Sequence, residues 1–218
     1  MIARRLQTIR LLDPSVALYL IAVGLVGFAI DGGVFSVLFN LYLVRLGYGP
    51  ETIGLVVAAG QLVFAAFSLP AGVLGERWGA RRMLVAGMAI MVAGCALAAL
   101  ADLVPPAARV PWLIANCVVL YLGLALFFVC GAPFIMALVA DSQRSAIFGA
   151  QTAVLALAAF AGSLVGGFLP QALGAALGLT PDHPAAFRAG LLVAALALAP
   201  AAALVFAVRP GRATVEAE

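Results

Sequence analysis

Apolar residues run through this sequence in long blocks, separated by short clusters of charge, proline and glycine. Six blocks stand out, at about 15–43, 52–74, 83–101, 112–139, 147–170 and 187–208. Each reaches or approaches the roughly 20 apolar residues that carry a helix across a bilayer. A helix also lets one segment satisfy its own backbone hydrogen bonds in lipid. The blocks therefore predict six transmembrane helices. Start signals agree: Asp13-Pro14 offers an N-cap followed by proline at the first helical position, Pro50-Glu51 does the same at the second span, and Pro111 at the fourth. The longer blocks exceed a bilayer's need, so tilt or kinks are expected.

Polar side chains are unevenly spread over the six spans. Span 1 holds Asp31 and Asn40, span 2 Gln61 and Ser68, span 4 Asn116 and Tyr121, and span 5 Gln151, Thr152 and Ser163. Spans 3 and 6 carry nothing stronger than Cys95 between their ends. Polar groups at membrane depth usually face a bundle interior or a wet cavity. Spans 1, 2, 4 and 5 are thus expected to line something, with 3 and 6 outside against lipid. Two polar spans followed by a bare one, twice over, suggest a pair of three-helix units, and "SLPAGVLG" ending span 2 echoes "GFLPQALG" ending span 5.

Composition fixes the solvent. Hydrophobic residues make up 66% of the chain and charged residues 10%, against roughly 25% charged in a soluble domain. Such a chain lacks the charge to cover a water-facing surface, so its first partner is the lipid bilayer. All basic residues are arginine, and their placement matters more than the net charge of +3. With the N-terminus inside, the cytoplasmic side holds Arg4, Arg5, Arg10, Arg77, Arg81, Arg82, Arg144, Arg209 and Arg212, and the outer side only Arg45, Arg109 and Arg188. That bias predicts both termini in the cytoplasm: a tail at 1–13, a bundle at 14–208 and a second tail at 209–218. The same scatter of arginines through short loops argues against a nucleic-acid partner.

Little points to catalysis. Cys95, Cys117 and Cys130 fit no zinc or redox spacing and read as small buried hydrophobes. His183, the single histidine, stands between Pro181 and Pro184 in a loop and is expected to be solvated. No span carries two carboxylates, so neither a nucleophile–base pair nor a metal site can be assembled at one depth. No enzyme activity, cofactor or metal is expected. The start "MIARRLQTIRLL" is basic, but the apolar run after it is too long for a signal peptide.

The turn between spans 2 and 3 is the most distinctive stretch. "GVLGERWGARR", Gly72 to Arg82, resembles the motif that the major facilitator superfamily carries at this location: Gly72, Leu74, Arg77, Gly79, Arg81 and Arg82 match, Glu76 replaces an aspartate and Ala80 an arginine. "FNLYLVRLGYGPETIGLV" and "PFIMALVADSQRSAIFG" are also similar to the family. The resemblance covers the chain as the N-terminal six-helix half of a twelve-helix fold. It implies an all-α membrane protein of two inverted three-helix repeats, moving a small solute across the cell membrane by alternating access. It further implies that Glu76 and the arginines latch against the other half; the plainer reading is that these charges only enforce orientation. One half alone cannot alternate, so a second six-helix half is expected from another copy or a separate chain; a truncated reading frame or a non-transporting scaffold or receptor subunit is the alternative.

Asp31, followed by Gly32-Gly33 near the middle of span 1, is the leading solute or coupling-ion candidate. An ionised carboxylate there costs about 2.5–3.5 kcal/mol on insertion scales, which suits proton coupling or a cationic solute; otherwise the glycines make a kink and the acid bonds to its neighbours. Tyr42, eleven positions on, shares Asp31's helical face, and Asn40 points nearly opposite. Gln61, Asn116 and Gln151 complete the candidates. Asn116, Gly123 and Cys130 recur every seven residues, and Gly162 with Gly166 forms a small-xxx-small pair; both stripes read as packing surfaces. Arg144 has a nearby partner in Asp141. The family's proton-coupled members often carry an arginine within span 4, and its drug antiporters a Gly-Pro pair on span 5 ahead of a Gly-Gly. Both are missing here, so no motif supports proton coupling or drug export.

Overall fold

The computed structural model describes residues 13–180 and 182–208, and within them every expected span is helical. Span 1 is broken into α1 (Pro14–Ala29) and α2 (Val34–Arg45). The others are α3 (Pro50–Trp78), α4 (Ala80–Ala99), α5 (Pro106–Leu138), α6 (Asp141–Ala176) and α7 (Pro184–Ala207). A short 3₁₀ turn, Leu100–Leu103, follows α4. With 24 to 36 residues per span, all exceed a bilayer's thickness at 1.5 Å per residue.

Local chemistry sets these ends. Asp13 caps α1, its Oδ1 accepting from the Ser15 N–H at 2.9 Å, with Pro14 in the first turn. Pro50 opens α3. The fourth span begins earlier than expected, at Pro106, which leaves Pro111 inside α5. His183 is exposed and caps α7, its Nδ1 accepting from the Ala185 N–H at 3.2 Å. Gly79 alone joins α3 to α4; its φ of 90° is a conformation that side-chain-bearing residues rarely adopt, and it turns the chain back in one residue.

The packing is that of an inverted repeat. Span 1 packs on spans 5 and 6, span 4 on spans 3 and 2, and spans 3 and 6 meet each other. Exchanging 1 with 4, 2 with 5 and 3 with 6 leaves this pattern unchanged. Since spans 1 and 4 run in opposite directions, the two three-helix units are related by inversion.

Between apolar helices in lipid, dispersion at close approach must supply the attraction. Small residues provide it here. A Cβ on Gly87 would lie 2.8 Å from the Gly123 carbonyl, and one on Gly123 2.5 Å from the Gly87 carbonyl, so α4 and α5 cross backbone to backbone. Gly162 of α6 meets the Phe28 carbonyl in the same way, and Gly166 meets Val34. Both predicted stripes are packing surfaces: Asn116 is buried, and Cys130 lies against Gly75 and the Ala71 carbonyl of α3.

Burial among these six helices does not follow polarity: spans 3 and 6, expected to lie outside because they lack polar groups, have 50% and 39% of their most apolar windows buried, while spans 2 and 5 bury 11% each. A bare helix rich in alanine is suited to tight packing as well as to lipid, and one face of both α4 and α7 is used for packing.

Candidate functional site

A cavity of about 210 Å³ opens between spans 1, 2 and 4, and no residue of spans 3 or 6 lines it. Its polar wall comes from Asp31, Ser36 and Asn40 of span 1, Gln61 of α3 and Tyr121 of α5. Its apolar wall includes Phe35, Phe39, Phe64 and Phe128. Phe35 and Phe39 stack at 4.8 Å, and Phe64 meets Phe128 edge-on at 6.3 Å. Span 5, expected to share in the lining, does not reach this cavity.

The break in span 1 builds the polar wall. Gly32 has φ 76°, and a Cβ on Gly33 would overlap the Phe28 carbonyl, so the turn is tight enough to exclude side chains. Ser36 staples it: its Oγ donates to the Ile30 carbonyl at 2.7 Å and accepts from the Gly32 N–H at 3.1 Å. The break also resets the helical phase. Asn40, expected opposite Asp31, therefore faces the same cavity, its amide donating to the Ser36 carbonyl at 3.4 Å.

Tyr42 consequently points away from the cavity. It is fully buried, and its Oη lies 2.9 Å from the Ala99 carbonyl, 3.0 Å from Asp102 Oδ1 and 2.8 Å from the Asp102 N–H, which donates to it. Asp102 pairs in turn with Arg188 of α7 at 2.6 Å, and Arg109 of α5 donates to the Asp102 and Val104 carbonyls. This knot ties spans 1, 3, 4 and 6 together at one end of the bundle. Arg45 adds an exposed pair with Asp182 at 2.6 Å. Sequence reading missed the knot, although Asp102 and Arg188 are the charges that flank the two barest spans.

The remaining candidates divide. Gln61 Nε2 donates to Tyr121 Oη at 3.3 Å inside the cavity. Asn116 lies outside it and donates to the Trp112 carbonyl one turn back, at 2.8 Å. Gln151 is outside too, with its Oε1 buried and without a hydrogen-bond partner among the described residues. The Asp31 carboxylate makes no hydrogen bond or ion pair among the described residues.

At the opposite end from the Asp102 knot, the turn motif is split across two helix ends. Gly72, Leu74, Glu76 and Arg77 close α3, Gly79 makes the turn, and Arg81 and Arg82 open α4. Arg81 donates to the Phe206 carbonyl at the end of α7 and lies 5.3 Å from that residue's ring centroid. Glu76, Arg77 and Arg82 are exposed and form no ion pair among the described residues. Gly75 is approached within the bundle by Cys130, so its lack of a side chain serves α5. Arg144 pairs with Asp141 at 2.9 Å and donates to the Met136 carbonyl, fastening α6 to the end of α5. Arg4, Arg5, Arg10, Arg209 and Arg212 lie outside the described residues.

The family model described as Major Facilitator Superfamily matches residues 21–218. The multidrug resistance protein MdtH of Cronobacter sakazakii is 30% identical over 142 residues, covering 63% of this chain and 34% of the relative. The MdtH proteins of Yersinia pestis and Yersinia pseudotuberculosis match with the same identity and coverage. The matched stretch thus spans about a third of the length of these relatives.

Proposed function

Since the chain belongs to the major facilitator superfamily, we propose that its six helices form one half of a secondary transporter of the cell membrane, with the cavity at the span 1 break as one wall of a solute path. The observation that carries this reading is the Asp31 carboxylate, without a hydrogen bond or ion pair among the described residues, set among aromatic rings in that cavity. An unpaired intramembrane carboxylate is costly and persists where it serves a pathway. Phenyl faces attract cations as well, so the favoured solute is an organic cation with apolar bulk. The name of the MdtH relatives, multidrug resistance protein, is in keeping with such a solute where the span 5 motif was silent.

Alternating access requires a second half. Spans 2 and 5 are the most exposed and carry Gln61 and Thr152 on exposed positions. Polar groups there favour a protein or water neighbour over lipid. The second half, from another copy or a separate chain, would therefore cover α3 and α6. Glu76 and Arg77 stand ready to latch onto it. In this reading the motif turn and both chain ends face the cytoplasm.

The test is counterflow of tetraphenylphosphonium in proteoliposomes of the native assembly. Uptake that falls at least tenfold in Asp31→Asn, with unchanged protein incorporation, is expected. Uptake indifferent to Asp31→Asn would overturn the cation reading, and no uptake of any solute by the native assembly would overturn transport.

A further inference from the structure

A second cavity, of about 610 Å³, lies on the outside of the bundle where the start of α4 meets the end of α7, well apart from the solute cavity. Trp78, Arg81 and Arg82 line it at the turn, Val85, Ala86 and Ala89 continue along α4, and Phe206 lines it from the end of α7. Trp78 and Phe206 are 57% and 68% exposed, so both rings lie open to whatever fills the groove. The polarity is graded: two guanidinium groups beside an indole at the helix ends, then an apolar channel running inward.

We propose that this groove binds an anionic phospholipid, its headgroup phosphate on Arg82 and Arg81 and one acyl chain along Val85, Ala86 and Ala89. Charge complementarity selects the occupant. Arg82 has no carboxylate partner among the described residues, and Arg81 is held in place by the Phe206 carbonyl rather than neutralised by an acid. Guanidinium forks suit phosphate oxygens, and basic pockets between membrane helices are suited to lipid headgroups. Tryptophan belongs at the depth of the headgroups, with its ring along the acyl boundary. A soluble phosphate would use the arginines and leave the channel empty; a zwitterionic lipid would fill the channel without matching the excess charge. The lipid would bridge α4 and α7, one helix from each three-helix repeat, and so brace the contact between the repeats. This inference does not depend on transport.

The experiment is native mass spectrometry and thermal unfolding of the full chain in detergent, with phosphatidylglycerol, phosphatidylcholine or inorganic phosphate added. Phosphatidylglycerol is expected to bind and to raise the unfolding temperature, with phosphatidylcholine weaker and phosphate without effect. Arg82→Gln is expected to weaken phosphatidylglycerol binding about fivefold, one basic group being worth roughly that much near an anionic headgroup. Ala89→Trp should block the channel while leaving both arginines. Equal binding of the two lipids, protection by phosphate alone, or indifference to both substitutions would overturn the proposal. A benzoylphenylalanine in place of Ala89 identifies the occupant directly: an adduct of phospholipid mass supports the proposal, and one to residues 209–218 or to a second protein chain refutes it.

Discussion

Two carboxylates of this chain sit in opposite circumstances, and their substitutions should have opposite consequences for stability. Asp102 is paired with Arg188 and hydrogen-bonded to Tyr42, on a side chain that is 14% exposed. Removing its charge leaves a half-buried guanidinium unmatched and breaks charge-assisted hydrogen bonds, each worth about 1.5–3 kcal/mol. Asp102→Asn is therefore expected to lower the unfolding temperature, with a loss of about 1–3 kcal/mol. Combined with Arg188→Gln the loss should be far from additive, because the two groups form one interaction. Asp31 has no such partner among the described residues. Asp31→Asn should leave the unfolding temperature unchanged or higher while abolishing the protection that an organic cation gives, since a group kept for function is often a stability burden. Thermal unfolding in detergent with and without tetraphenylphosphonium measures both. A fall in stability for Asp31→Asn as large as that for Asp102→Asn would show that Asp31 is a structural acid.

Helices here are positioned by where backbones can touch, and α6 tests this within a single element. Gly162 faces the Phe28 carbonyl so closely that a Cβ there would overlap it, whereas a Cβ on Gly149 would meet nothing within 4 Å. Alanine at 149 should therefore be neutral or stabilising by up to about 1 kcal/mol through helix propensity. Alanine at 162 must push α6 off span 1 and should cost about 1–3 kcal/mol. Equal effects of Gly149→Ala and Gly162→Ala on the unfolding temperature would remove close packing as the explanation. The same geometry explains what could be read from the sequence. Six spans and both packing stripes follow from block length and residue size, and the repeat from the alternation of polar and bare spans, all of them local properties. The side of span 1 on which Asn40 and Tyr42 fall does not. It depends on a break at Gly32-Gly33 that shifts the phase of everything after it, so a helical wheel drawn through the break exchanged the two residues. Nor could the lack of polar groups on spans 3 and 6 distinguish a lipid face from a packed one, because lipid and helix surfaces are chemically alike.

For the whole molecule, the distribution of exposure around the bundle bears on assembly. Leu62 and Leu69 of α3 and Leu157, Phe160 and Phe168 of α6 are each at least 63% exposed, as is Leu196 of α7 at 72%. Hydrophobicity cannot separate them, since all would be content in acyl chains. What separates them is their neighbours: α3 carries Gln61 and one wall of the Asp31 cavity, and Thr152, its hydroxyl donating to the Phe148 carbonyl, lies on an exposed position of α6, whereas α7 has no uncharged polar side chain between Pro184 and Ala207. A lipid contact along α3 and α6 would leave polar groups against hydrocarbon, while a second six-helix half would meet them with protein or enclosed water. Benzoylphenylalanine in place of Leu62 or Leu157 is thus expected to yield chain-to-chain adducts when the protein is irradiated in its native membrane, and in place of Leu196 to yield lipid adducts. The mass of the chain captured at 62 and 157 would separate pairing of two copies from capture of a different half. If all three positions gave only lipid adducts, these six helices would stand alone in the bilayer, and a solute path closed by a second half would have no basis.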